Sequence, residues 1–534
     1  MKKFILQLFI ALAILLPGGD FAYSQAQPSS TEMQELKEMI RQLQLDNARR
    51  VEEIEQLKKE NAEKIKALEK KVDDLSGQKP VMVEEGAPGK PAAPAAPAAP
   101  VAPGEATEEE TLKAAEEEER DAGEEDFFEM VNKGEKPYKK LVDEGPFQLT
   151  WGGYADILFS WYGYGPDQTR PGGSGDDNRL EFDMTRFVLE LEGEMFAGLG
   201  FEAEIEFEHG GTGSTFEIEY EEFGEYEQEI EKGGEVYVEE LYLYKKFSDW
   251  GKLKAGRFYL AFGLMSFLSK PTDYLAARRP ESETMVIPAV WDEMGASFQY
   301  YATDSLNLTF QVVNGLDSTG FGSLNWIRGG HQGKFETIKA TGLAMVGRID
   351  YKFLDYGLLV GTSAYYGFDT SANRPKDDLP NVDAPILLLD AHAIFNYGRW
   401  RGSGLFVWGH LWDAAEISER NARLSNNLDV PRTAVSDNAI SAWAELGYNI
   451  NTYVGLDHLH RLEPFFRVDY YDTMYDPRND LFDNPRYERT VLTGGLSYTF
   501  ANAVFLKLDY GYRMIAASDI SNESTIDLAF GWVY

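Results

Sequence analysis

The stretch LGFEAEIEFEHG, residues 199–210, alternates apolar and acidic side chains without interruption. Its odd positions from Phe201 to Phe207 are apolar, and its even positions from Glu202 to Glu208 are all glutamate. Successive side chains of a strand point to opposite faces, so this order predicts a strand with one apolar and one anionic face. A soluble sheet with one solvated face is the simplest explanation. The rest of the chain has to decide whether lipid explains the apolar face better.

Composition excludes several classes of function. The 534 residues include no cysteine, which rules out disulfides, thiolate metal sites and a catalytic thiol. The formal net charge of −38 argues against a nucleic-acid partner, because binding phosphates needs a basic surface. Part of that charge is a dense acidic run at residues 105–129, a pattern typical of a solvated tail.

The N-terminus has the features of an export signal. Two lysines precede an apolar core and a small-residue cleavage site, so residues 1–24 are predicted to be a signal peptide. No later segment has the 18 or so continuous apolar residues of a membrane-spanning helix. The sequence therefore predicts a mature protein outside the cytoplasm.

The region before the predicted strands has two parts. Residues 31–77 place apolar side chains at heptad spacing, as at Met33, Ile40 and Ile54, which predicts a coiled coil and favours oligomerisation. Residues 78–145 combine a Pro/Ala tract with the acidic run and are predicted to be an extended, disordered linker.

From residue 147 to the C-terminus, segments of about ten residues alternate with period two. We predict sixteen strands, at about 147–162, 180–194, 199–209, 235–247, 252–260, 291–301, 305–314, 340–353, 357–367, 385–397, 399–412, 438–451, 460–471, 489–500, 503–513 and 524–534.

The connections between these segments alternate in length. Every second one is short, such as FAGL after the second strand and SDWG after the fourth, whereas the others are long and rich in Gly, Asp, Asn and Pro. An even strand number with short turns at one end and long loops at the other is typical of a transmembrane β-barrel. The predicted fold class is therefore an all-β transmembrane barrel of about sixteen antiparallel strands over residues 146–534, preceded by the helical coiled coil and the linker.

Three stretches resemble the phosphate-selective porin superfamily of bacterial outer membranes. They are RFVLELEGEMFAGLGFEAEIEFEHG (186–210), VYVEELYLYKKFSDWGKLKAGRFYLAFGL (236–264) and GLSYTFANAVFLKLDYGYR (495–513). The resemblance covers about residues 147–534. It implies a homotrimer in outer-membrane lipid, a periplasmic N-terminal coiled coil, and a third long loop folded into each pore.

The third long connection, residues 261–290, is the longest in the chain. By the resemblance it is the constriction loop, and its basic residues Lys270, Arg278 and Arg279 are then candidates for the narrowest part of the pore. An ordinary extracellular loop is the alternative.

The parity opposite to the apolar one predicts the residues that line the pore. On the second and third strands these are Glu190, Glu192, Glu202, Glu204, Glu206 and Glu208, with Glu240 of the fourth strand as a further candidate. On later strands they are Arg348, Asp350, Lys352, Arg467, Asp469, Lys507, Asp509 and Arg513.

The charges leave ion selectivity open. A glutamate wall favours cations and departs from the arginine ladder and lysine cluster that the family uses for phosphate. Arg278 and Arg279 would outweigh that wall if they reached the narrowest point, because the closest charges dominate the potential felt by an ion.

Catalysis and cofactors find little support in the sequence. Asp390 and His392 share a strand face and His410 lies on the next strand, but no nucleophile motif such as G-x-S-x-G places a serine beside them. The zinc motif HExxH and EF-hand spacing are also missing from the sequence. We therefore expect no enzyme activity, no cofactor and no metal.

The sequence predicts an outer-membrane porin of a Gram-negative bacterium, which lets small hydrophilic solutes or ions diffuse through a water-filled channel. The alternative is a barrel that serves mainly as an anchor, linking the outer membrane to the cell wall through the coiled coil.

Overall fold

The protein folds, in a computed structural model, into a closed barrel of sixteen antiparallel strands. The structure describes residues 139–144, 147–163, 178–210, 217–219, 227–229, 234–288, 290–333, 338–375, 379–424, 432–518 and 520–534. In chain order the barrel strands are β1 (Phe147–Tyr162), β2 (Arg179–Glu194), β3 (Leu199–Glu208), β4 (Glu235–Lys246), β5 (Gly251–Tyr259), β6 (Asp292–Tyr301), β7 (Leu306–Asn314), β8 (Leu343–Phe353), β9 (Leu358–Gly367), β10 (Ile386–Tyr397), β11 (Trp400–Leu411), β12 (Asn438–Tyr448), β13 (His460–Asp472), β14 (Glu488–Phe500), β15 (Val504–Ile515) and β16 (Glu523–Val533).

The barrel closes between its first and last strands. β1 pairs with β2 on one side and with β16 on the other, and every other barrel strand pairs with its two neighbours in sequence. Closure pairs the backbone groups of each strand without leaving a sheet edge in lipid. The sixteen predicted strands and the alternation of short and long connections are confirmed.

Shorter elements lie in the connections. The helices are α1 (Glu281–Val286), α2 (Ala414–Asn421) and α3 (Asn451–Val454), with 3₁₀ turns at Ser318–Gly320, Arg328–Gly330, Leu354–Tyr356 and Pro485–Tyr487. Strands Glu217–Glu219 and Glu227–Glu229 pair with each other in the second long loop. Within the described residues, every helix is too short or too polar to cross a membrane.

One further strand, Lys139–Glu144, pairs with the first residues of β1, with Glu144 opposite Phe147. It fills the edge of β1 that β16 leaves open, because β16 ends with Val533 opposite Tyr154. These residues lie at the C-terminal end of the predicted linker, 78–145, where they pair with backbone groups of β1 that would otherwise be unpaired. The predicted signal peptide, the coiled coil and the rest of the linker lie outside the described residues.

The outer face of the barrel is apolar and exposed. Leu241, Phe310, Ile349 and Phe466 are each about half exposed on it. Exposed aromatic residues collect near the short turns: Trp250, Tyr300, Tyr356, Trp400 and Phe500. A closed apolar belt with an aromatic girdle fits a lipid bilayer and not water, so the soluble alternative for residues 199–210 is wrong.

The main hydrophobic core lies inside the barrel. Inward-facing residues such as Val346, Leu388 and Val407, on β8 to β11, pack against Phe262 and Trp326 from the third and fourth long loops. The sequence did not predict this core, because strands such as ILLLDAHAIF are apolar on both faces. Consequently one half of the inner wall, from β5 to β12, is covered by loops.

Candidate functional site

The glutamates of β3 face into the barrel, as predicted, but they are buried. Glu202, Glu204 and Glu206 are 3%, 0% and 3% exposed. The register sets Glu204 directly between Glu190 of β2 and Glu240 of β4. The expectation of a solvated acidic wall is therefore corrected at these positions, because protein groups and not water surround the carboxylates.

Tyrosines and lysines of β4 and β5 cover the part of this acidic wall that lies nearest to the short β2–β3 turn. The Tyr244 hydroxyl donates to Glu192 Oε1 at 2.8 Å, and the Tyr242 hydroxyl donates to Glu202. Lys252 and Lys254 lie over the rings of Tyr244 and Tyr242, each with Nζ 4.4 Å from the ring centroid. Such cation–π contacts neutralise part of the acidic field without a direct ion pair.

These residues were missed by the sequence analysis, although part of the signal was present. Tyr242 and Tyr244 alternate with outward leucines, and this alternation alone would have placed them inside. Glu239 is different. The β3–β4 register shifts between Glu204 and Ile205, so Glu239 is an extra residue in a bulge and is buried next to Glu240.

The third long connection, here called loop 3 (residues 260–291), crosses the barrel interior. Its backbone is bound by inward-facing charged side chains of the opposite wall. Lys507 Nζ on β15 donates to the carbonyl oxygens of Tyr274 (2.7 Å), Ala276 (2.9 Å) and Pro271. Asp509 accepts the N–H of Ala277 at 2.6 Å.

Strand β13 binds the next part of loop 3 in the same way. Arg467 Nη1 donates to the carbonyl of Arg278 at 2.8 Å, and its Nε pairs with Asp469 at 2.9 Å. Asp469 also accepts from the N–H and the hydroxyl of Ser282, at 3.1 and 3.0 Å. The predicted pore-lining residues of this strand thus hold loop 3, which is a role that the sequence did not predict for them.

Helix α1 of loop 3 is held by an ion-pair network. Arg513 of β15 pairs with Glu281, and its Nη1 lies 2.6 Å from Glu523 Oε2. The Tyr471 hydroxyl donates to Glu281 Oε1 at 2.7 Å. Burial alone would raise the pKa of Glu281, but Arg513 and these hydrogen bonds together hold it below the ordinary value for glutamate.

The beginning of loop 3 is bound by two carboxylates. The N–H of Gly263 donates to Asp390 at 3.0 Å, and the N–H groups of Leu264 and Met265 both donate to Glu283 at 2.8 Å. Gly263 has φ +74°, and a Cβ there would lie 2.6 Å from Glu283 Oε1. Only glycine fits this turn without strain.

Arg348 and Asp350 of β8 lie beside this turn. Arg348 donates to the Gly263 carbonyl at 2.8 Å and pairs with Asp350, also at 2.8 Å. The third predicted residue of this strand, Lys352, is 1% exposed. All three therefore lie inside the barrel and are largely buried.

The three predicted constriction residues are separated by the structure. Lys270 is buried, with Nζ 3.7 Å from Glu190 Oε2. Arg279 donates to the Ser269 carbonyl of loop 3 itself at 3.3 Å. Arg278 keeps 43% of its side chain exposed while bonding to Asp527 at 3.1 Å and to the hydroxyl of Tyr162 at 2.7 Å. Of the three, Arg278 is the one most open to water.

The candidate catalytic histidines do not meet. His392 is buried inside the barrel between Asp350 and Asp390. His410 is on the outer face, with its ring centroid 4.5 Å from that of Trp412. Among the described residues, no group of three or more His, Asp and Glu side chains is arranged to hold a metal ion.

Comparison with known proteins agrees with this architecture. Residues 163–330, which contain β2 to β7 and loop 3, match the family model described as phosphate-selective porin O and P. A protein of Aquifex aeolicus (strain VF5) described as uncharacterized is 26% identical over 332 residues, which cover 61% of this chain and 70% of that protein.

Similar solved structures include the outer membrane channel DcaP of Acinetobacter baumannii, with 12% identity and a TM-score of 0.47 over 74% of this chain and 99% of that one. They also include Salmonella typhi OmpF, with 10% identity and a TM-score of 0.45 over 74% of this chain and 100% of that one. The family match confirms the resemblance that the sequence predicts: the chain forms a transmembrane β-barrel that resembles the phosphate-selective porin superfamily.

Proposed function

We propose that the protein is an outer-membrane porin, through which small hydrophilic solutes and ions diffuse passively. The observation that carries this proposal is the closed barrel with an apolar outer belt and a largely charged inner face on β13 to β16 and β1 to β4. A barrel whose inner wall is charged and whose outer wall is apolar separates a polar interior from lipid. The family match of residues 163–330 points the same way, to a channel and not an enzyme.

The passage runs beside loop 3, along the wall formed by β16, β1, β2 and β3. The opposite wall is covered by the apolar core described above, so it offers no aqueous route. Along the wall of β16 to β3, three side chains stay partly exposed: Tyr162, Glu181 and Glu208. Arg278 faces the same region. In this proposal loop 3 is the constriction, and Arg278 is its charge nearest to the permeant solute.

Selectivity follows from which charges reach water. The glutamates of β3 are buried beside tyrosines and lysines, so much of their field is compensated before it reaches the passage. Arg278 is open to water and therefore acts on an ion at close range. The channel thus has a mixed wall, with a preference for small anions at the narrowest point.

The assembly belongs to the proposal as well. We place the barrel as a homotrimer in outer-membrane lipid, with the N-terminal coiled coil in the periplasm. A second function, as an anchor between the outer membrane and the cell wall, is favoured by one observation. Strand Lys139–Glu144 ties the chain that precedes the barrel to β1 through a backbone ladder.

Proteoliposome swelling tests the proposed function. Vesicles containing the folded protein are diluted into isosmotic solutions of sugars of increasing size. A porin gives swelling rates that fall steeply with sugar size, because solute and water enter through a passage of fixed width. Vesicles with heat-unfolded protein are the control. Swelling no faster than in that control, with folded barrel present, would contradict the proposal.

A further inference from the structure

A buried histidine inside the barrel binds two carboxylates at once. His392 of β10 has its Nδ1 2.7 Å from Asp390 Oδ1 and its Nε2 2.8 Å from Asp350 Oδ1. The side chain of His392 is completely buried. Gly361 of β9 makes room for the ring, since a Cβ there would lie 2.3 Å from Nε2.

The two contacts satisfy both nitrogens of the ring. An ionised carboxylate can only accept hydrogen bonds, and a neutral imidazole has only one N–H to donate. With both carboxylates ionised, two contacts of normal hydrogen-bond length need both ring nitrogens protonated. With Arg348 paired to Asp350, the four side chains carry two positive and two negative charges.

Arg348 is the one positively charged side chain that the described contacts place near the ring. From its own strand it faces Asp390, and from β8 it faces Asp350 with Arg348 behind. The opposing residues of β9 and β11 are Gly361 and Leu405, neither of which titrates. Loop 3 contributes one further carboxylate, Glu283, which interacts electrostatically with Asp390.

The same four side chains hold the first turn of loop 3. Asp390 uses its second oxygen, Oδ2, to accept the N–H of Gly263, while Arg348 donates to the carbonyl of that residue. The guanidinium also lies 3.9 Å from the ring centroid of Phe267 in loop 3. His392 contacts both carboxylates of this cluster, so it lies beside the point where loop 3 enters the barrel.

We propose that His392 is a positioning residue, which holds the first turn of loop 3 to the wall of the channel through Asp390 and Asp350. This inference rests on the proposed channel function. Without the ring, Asp350 and Asp390 lose the side chain that joins them. The Gly263 turn is then held less firmly, because Asp390 and Arg348 are no longer fixed in place.

The test is the frequency of fluctuations in single-channel currents, recorded in planar bilayers from the complete protein at one pH. In the wild type, fluctuations of the open-channel current are rare, because His392 contacts both carboxylates beside the first turn of loop 3. In H392N, whose shorter side chain cannot reach both carboxylates, the fluctuations become about tenfold more frequent, as about one charge-assisted hydrogen bond is lost. The matched control is H410A, which removes the outward-facing histidine and keeps the wild-type frequency.

A second variant covers the case in which H392N does not form a barrel, as judged by its heat-dependent migration on gels. In D350N the amide can still accept from a ring N–H or donate to a ring nitrogen, so the current shows few fluctuations, as in wild type. A fluctuation frequency in H392N equal to that of wild type, or frequent fluctuations in D350N, would overturn the inference. Absence of any conductance from folded wild type would instead contradict the proposed function.

Discussion

Tyr534, which follows β16, contacts the strands where the barrel closes. Its hydroxyl reaches across β1 and donates to the carbonyl of Val188 on β2 at 2.9 Å. Its ring also lies 5.3 Å from that of Trp151, between centroids. A tyrosine at this position therefore links three adjacent strands where the barrel closes, which phenylalanine would do by packing alone.

Replacement of this residue, Y534F, is expected to lower the free energy of unfolding by about 1 kcal/mol, the usual contribution of one hydrogen bond. The measurement is the midpoint temperature of the heat-induced gel shift. Y351F is the matched control, because Tyr351 lies on the outer face and is 44% exposed. Equal midpoints for Y534F and Y351F would show that the seam does not depend on this hydroxyl.

Arg278 is the residue through which loop 3 acts on a permeant ion. A unit charge about 8 Å from an ion in water contributes about 0.5 kcal/mol, or roughly a twofold change in relative permeability. R278A is therefore expected to lower the anion-to-cation permeability ratio about twofold, measured as a shift of the reversal potential in a potassium chloride gradient. R399A, which changes an arginine beside Tyr453 near the short turns, should leave the potential unchanged. The same potential in R278A and wild type would remove Arg278 from the constriction.

The direction of side chains could be predicted from the sequence, but their partners could not. Lipid forces one parity of each strand to be apolar, so the alternation identified the inward positions of Lys507, Asp509 and Arg467 correctly. Lys507 and Pro271, however, are 236 residues apart in sequence, and no local pattern reports a contact of that kind. The sequence predicted that these residues contact water in the pore. In the structure they contact loop 3 instead.

Among the elements, loop 3 depends most on a single strand, β15. Lys507 binds three carbonyl groups of its turn at 271–276 and lies 4.2 Å from the ring centroid of Tyr274. K507M keeps a side chain of similar length and removes the ammonium, and it leaves three buried carbonyls without their donor.

We expect K507M to destabilise the barrel by about 3 kcal/mol and to make loop 3 cleavable by protease added to folded protein. The measurements are the gel-shift midpoint and the mass of the fragments. K254M is the control, since Lys254 also points inward but contacts Tyr242 and not loop 3. A K507M barrel as stable and as resistant as K254M would mean that loop 3 is held by its apolar packing alone.

Two strand pairs show where period-two prediction fails. The β1–β2 register shifts between Asp156 and Leu158, and the β3–β4 register shifts between Glu204 and Ile205. At a bulge the parity reverses, so Glu239 points inward although simple alternation would send it to lipid. Bulges depend on how the two strands twist together, which a single strand's sequence does not report.

One half of the barrel interior is covered by loops, and the other half faces the proposed passage. Apolar residues of β5 to β12 bind loops, and charged residues of β13 to β4 face loop 3 and the passage. The sixteen described barrel strands close on themselves between β1 and β16, so the proposed passage does not require residues 31–105, which lie outside the described residues.

Deletion of residues 31–105 therefore should leave single-channel conductance unchanged while removing any attachment to the cell wall. Conductance is measured in planar bilayers, and attachment by cosedimentation with purified peptidoglycan. The full-length protein is the control in both. Loss of conductance from a deletion variant that still forms the barrel would show that the segment belongs to the channel itself.

The proposed function requires that this barrel encloses an aqueous passage beside loop 3. Such a passage carries current through a planar bilayer when the purified, folded protein is added. We expect stepwise increases in conductance of uniform size, grouped in threes if the barrel is a trimer. A bilayer that stays electrically silent with folded, inserted barrel present would contradict it.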